Sequence, residues 1–213
     1  MRRSWVGRFA FLQQSWPLLV AAVALLASLP STGIVCSVAR ATDDKEKRSG
    51  ISKEDYLKTY LTADDLPGWK RVQDSRTRGA DRGDKTYVKL GGVHSGLAAW
   101  MRNKRPYSRI VDLRWVFPSS AAAKAYLRDQ LPVMAERLPV VQNAPKVGEE
   151  SHTFGGAQEV LEQKFRSYII VFRQDNVVVK FFQYESGADS ELRPLKMAPL
   201  CRAILQHIKA VAR

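Results

Sequence analysis

Two runs in the last third of the chain, residues 167–173 (SYIIVFR) and 177–184 (VVVKFFQY), restrict its fold more than any other feature. Both are β-branched and aromatic, and the Gln174-Asp175-Asn176 joint between them predicts a β-hairpin whose Asn tolerates positive φ. On the first strand Tyr168, Ile170 and Phe172 take one face, and Ile169 and Val171 take the other. A strand that is apolar on both faces must be covered on both. The hairpin is therefore expected at the centre of a layered domain.

Other segments supply the layers. Residues 107–117 predict a strand with Val111, Leu113, Trp115 and Phe117 on a buried face, and Asp112 and Arg114 on a face at least partly wet. Ser52 followed by Asp55 is a capping-box variant, opening a short helix with Tyr56, Leu57, Tyr60 and Leu61 along one side. A capped turn at 62–66 ends at Pro67-Gly68, and 69–73 reads as a strand. The charged, glycine-punctuated stretch 75–85 is a loop, after which Tyr87, Val88 and Leu90 suit a strand before Gly91-Gly92. Ser119-Ser120 cap a helix running through Leu131, which Pro132 ends or kinks. A strand at 150–154 leads to a turn at Gly155-Gly156, and a final helix carries Leu200, Ile204, Ile208 and Val211, with Pro199 in its first turn. Hairpin-ordered strands with helices early, midway and late give an α+β fold, an antiparallel β-sheet with helices packed on it.

The N-terminus carries an address. Arg2, Arg3 and Arg8 precede a short apolar core at 18–29, and Ala39-Arg40-Ala41 places small residues where a signal peptidase reads, so residues 1–41 are expected to be a cleaved export signal. An uncleaved membrane anchor is the rival reading, although prolines and polar residues dilute the segment. Arg2-Arg3 loosely matches a twin-arginine route. Residues 42–50 (TDDKEKRSG) form a polar tether, and 51–213 form a single domain. The full chain has 34 Lys and Arg against 21 Asp and Glu, a net charge of +13; the leader removes four arginines and no acid, leaving +9. Cys201 alone then remains of the two cysteines, so an internal disulfide is excluded, and its place beside the last helix's apolar stripe predicts burial.

The segments LPGWKRV (66–72), WVFPSSAAAKAYL (115–127), PKVGEESHTF (145–154) and VFRQDNVVVKF (171–181), with the closing amphipathic helix, resemble a pattern in exported bacterial domains. Those domains are similar to the mycobacterial LpqN-type lipoproteins and to the PsbP-like superfamily of α/β/α sandwiches. The resemblance implies a curved antiparallel sheet between helices, and binding or assembly rather than catalysis. It departs at Cys36, where Val35 stands in place of the small residue that lipidation requires.

Candidate catalytic motifs fail on residue identity. Gly91-Gly92-Val93-His94-Ser95-Gly96 lacks the Lys-Ser/Thr ending of a phosphate loop, and His94 occupies the position a nucleophile elbow gives to Ser. The neighbouring acids Asp64-Asp65 and Glu149-Glu150 diverge on a helix or strand instead of converging. Glu150 and His152 would share a strand face, and His94 could complete a metal site if folding brought it near. His207 suits the boundary of the last helix.

Basic and aromatic residues interleave at Trp100, Arg102, Lys104, Arg105, Tyr107 and Arg109, with Arg76, Arg78 and Arg82 in a neighbouring loop. Guanidinium groups of this kind grip phosphates or carboxylates, with the rings as support. The expected function is that of an exported, non-catalytic binding or assembly module without a cofactor. Its basic surface would contact an anionic envelope lipid, glycan or protein; nucleic acid is not expected outside the cytoplasm. The alternatives are a metal-dependent protein using His94, Glu150 and His152, and a structural subunit of an envelope complex.

Overall fold

A computed structural model describes residues 51–75, 84–102, 107–160, 163–186 and 192–212. The leader, the tether, Arg76, Arg78, Arg82, Lys104 and Arg105 lie outside the described residues. Along the chain run α1 (Lys53–Lys58), β1 (Lys70–Asp74), α2 (Lys85–Lys89), β2 (His94–Arg102), β3 (Ser108–Val116), α3 (Ser120–Ala135), β4 (Glu150–Val160), β5 (Gln163–Gln174), β6 (Val177–Ser186) and α4 (Pro194–Val211). Among the described residues no helix is long and apolar enough to cross a membrane. Residues 51–75 and 86–212 belong to one compact unit.

The sheet is antiparallel in the order β1-β2-β3-β6-β5-β4, two three-strand meanders joined where β3 pairs with β6. The β5–β6 hairpin contributes one central strand and its neighbour. Both of its faces are buried: Ile170, Phe172, Val179 and Phe181 pack with α1 and α4, and Ile169, Val171 and Val178 point the other way. Each such side chain contributes roughly 1.5–3 kcal/mol by leaving water. On the first face Tyr56, Tyr60, Met197, Cys201, Ile204 and Ile208 complete the core. On the second, Tyr126 of α3 meets Phe117 and Trp115 with ring centroids 4.9 and 5.5 Å apart. The result is helices on both faces of a sheet.

Caps act as their residue types predict. Ser52 Oγ accepts from Asp55 N at 3.1 Å and donates to the Asp55 carboxylate, and Ser119 Oγ accepts from Ala122 N at 3.2 Å. Several elements differ from expectation. Tyr87, Val88 and their neighbours form helix α2, not a strand, because Gly91 at φ 70 lets the Gly92 amide donate back to the Tyr87 carbonyl. Pro132 lies inside α3, and α4 begins at Pro194, so Pro199 is interior. The carbonyl four residues before Pro199 belongs to Leu195, 71% exposed, so water can serve it. At the hairpin, Asp175 takes positive φ, while the Asn176 side-chain amide donates to the Phe117 carbonyl at 2.7 Å.

Gly155 and Gly156 do not turn the chain; β4 continues through them against Tyr168 and Ser167. Gly155 has φ 127, and a Cβ there would collide with the Ser167 carbonyl oxygen, so glycine permits a close approach inside the strand. The β4 edge is covered where Val141 N donates to Thr153 O and Gly155 N donates to Pro139 O. The β1 edge is short and bulged between Arg71 and Gln73.

The largest departure is on β3. Asp112 and Arg114, expected to be at least partly wet, are both fully buried, while Leu113 on the expected core face is half-exposed. The carboxylate accepts from Arg114 Nε at 2.9 Å and Nη2 at 2.7 Å, which supplies the partners that water would otherwise provide.

Candidate anion-binding surface

Strand alternation divides the basic stretch that the sequence presents as one patch. Arg102 pairs with Ser108, and Met101 pairs with Arg109, so Arg102 and Arg109 project from opposite faces of the sheet. On the α1/α4 face, Arg102 lies 5.3 Å above the Trp69 ring and 3.6 Å from the Glu185 carboxylate. Trp100 is a core residue with the Arg71 guanidinium 4.4 Å over its ring. Tyr107, just before β3, gives its carbonyl to Ser186 N. Arg102, Trp100 and Arg71 are thus occupied in cation–π and ionic contacts on that face.

The other face is asymmetric. Helix α3 packs on the β6-β5-β4 part of this face, and Tyr126 of α3 and Tyr87 of α2 reach Trp115 and Phe117 at the end of β3. Strand register arranges three rows there. Lys70, Met101, Arg109 and Tyr184 form one; Ala99, Val111 and Phe182 form the middle; Leu97, Leu113 and Lys180 form the third. Ala99, Val111 and Phe182 are buried, and Leu97, Met101, Arg109, Leu113, Lys180 and Tyr184 are half-exposed. Among the described residues of these rows there is no carboxylate. Arg109 Nη2 reaches the Gln73 Oε1 at 3.5 Å and also meets the Tyr184 phenol, whose pKa burial raises while the nearby guanidinium opposes the rise. The Cα atoms of Arg109 and Lys180 are about 14 Å apart by strand geometry, within reach of one ligand for two long cationic side chains. Sequence reasoning found Arg109 and missed Lys70 and Lys180. A lone lysine inside VVVKFFQY was the available signal, but only the register shows which residues it joins.

The metal candidate does not assemble. Glu150 and His152 do share a face, with His152 Nε2 3.4 Å from Glu150 Oε1, as alternation predicts. His94 sits on β2, and three strands separate it from β4, about 19 Å at ordinary strand spacing. It stacks instead on Tyr56, with ring centroids 5.4 Å apart. Arg173 takes the acids, pairing with Glu149 and approaching Glu150 while donating to Ser120 Oγ. No cluster of three or more metal-binding side chains occurs among the described residues. His207 approaches the Tyr60 carbonyl and Asp65, tying α4 to the segment after α1.

A second polar cluster is sealed in the core. Arg114 lies 4.2 Å above the Tyr60 ring, and the Tyr60 and Tyr56 hydroxyls share a hydrogen bond of 2.6 Å. Burial raises the pKa values of Tyr56, Tyr60 and the Cys201 thiol, keeping all three neutral. With no solvent access, this cluster fixes α1 and α4 on the sheet and offers nothing to a ligand.

No family model matches the chain, and no curated protein matches it in sequence. Its fold is similar to that of the extracellular domain of PknH from Mycobacterium tuberculosis, at a TM-score of 0.53 and 12% identity, over 76% of this chain and 96% of that one. At this identity the likeness is one of fold, and it establishes the arrangement of strands and helices as one shared with that domain.

Proposed function

We propose that the chain is an exported domain that binds an anionic component of the cell envelope without chemical turnover. The observation that carries this reading is the sheet face from which Lys70, Arg109 and Lys180 project, in rows that hold no carboxylate. Cations placed together on one face create a positive potential that attracts anions. The loop arginines Arg76, Arg78 and Arg82, with Lys104 and Arg105, add charge to the same chain. Export is supported by the basic n-region and apolar core of residues 1–41, and by the extracellular location of the PknH domain that shares the fold. The resemblance to LpqN-type and PsbP-like domains supports binding over catalysis.

Retention of the purified protein on anionic vesicles and on an anionic polysaccharide, measured from low to high salt, tests the proposal. Binding that weakens steeply with salt is expected. Binding insensitive to salt, or absent from every anionic support, overturns it. N-terminal sequencing of the exported protein is expected to begin at Thr42.

A further inference from the structure

We draw no further inference here: the strongest candidate, the side-chain cluster of Ser95 and Trp115 paired across β2 and β3 beside Tyr126 of α3, buries a hydroxyl and an indole N–H that have no hydrogen-bond partner, but both atoms are sealed from solvent and nothing among the described residues shows what they would hold.

Discussion

Asp112 and Arg114 stand two residues apart on one strand and meet side by side through a two-pronged ion pair, with neither side chain exposed. Removing one partner leaves the other charge buried and alone. Asp112→Ala should lower the unfolding free energy by about 3–5 kcal/mol, whereas the double replacement Asp112→Leu with Arg114→Met should be less damaging than either single change. Denaturant melts of the three variants check this; additive losses would show that the two side chains act independently.

Alkaline pH should destabilise the domain earlier than its exposed groups alone would cause. Burial holds protons on Cys201, Tyr56 and Tyr60 above their ordinary values, so the folded state binds more protons than the unfolded state once pH enters the ordinary thiol and phenol range. Their contribution is complete below that range and declines as pH rises, by up to about 1.4 kcal/mol per pH unit for each group. Stability measured from pH 7 to 10 should fall, and Cys201→Ala should remove the part that begins near the thiol's ordinary pKa. A thiol reagent should modify Cys201 only at the rate of opening.

Gly155→Ala should break the β4–β5 contact, since a Cβ meets the Ser167 carbonyl and the φ of 127 is unfavourable to any L side chain. A loss of about 1–3 kcal/mol is expected. Gly156→Ala serves as the control, because its added Cβ would meet only the Pro139 ring at 3.9 Å. Thermal unfolding of the two variants should differ accordingly.

Arg102→Gln and Arg109→Gln should separate in function although the two arginines are close in sequence. Arg102 is engaged with Glu185 and Trp69 on the helix-covered face, so its loss should leave retention on anionic vesicles unchanged. Loss of Arg109 should reduce retention about fivefold, the value of one cation near an anionic surface. Equal effects in a vesicle-sedimentation assay would place the surface elsewhere.

Much of the fold can be read from local pattern. The hairpin of β5 and β6, the Ser52 and Ser119 caps and the amphipathic stripe of α4 rest on interactions between near neighbours, which spacing reveals. Local pattern misleads where tertiary contacts supply what water normally would. Alternation assigns Asp112 and Arg114 to a face at least partly wet because nothing nearby in sequence shows that each pairs with the other beneath Tyr60. Gly155-Gly156 imitates a turn because the approach of β5 that demands glycine involves a strand further along the chain. For the candidate surface, Arg109 was legible as a cation, but its company was not. Lys180 and Leu97 become its neighbours only through the pairing of β3 with β6 and β2.

That pairing has a kinetic consequence. The connections β2–β3, β4–β5 and β5–β6 are short and that from β1 to β2 carries only α2, whereas Val116 must find Val177 across the whole length of α3, β4 and β5. Such a join carries the larger loop-closure entropy, so the halves gain contacts early and the seam zips last. Because Arg109 and Lys180 lie on opposite sides of that seam, the chain acquires its paired cations only when folding is nearly finished.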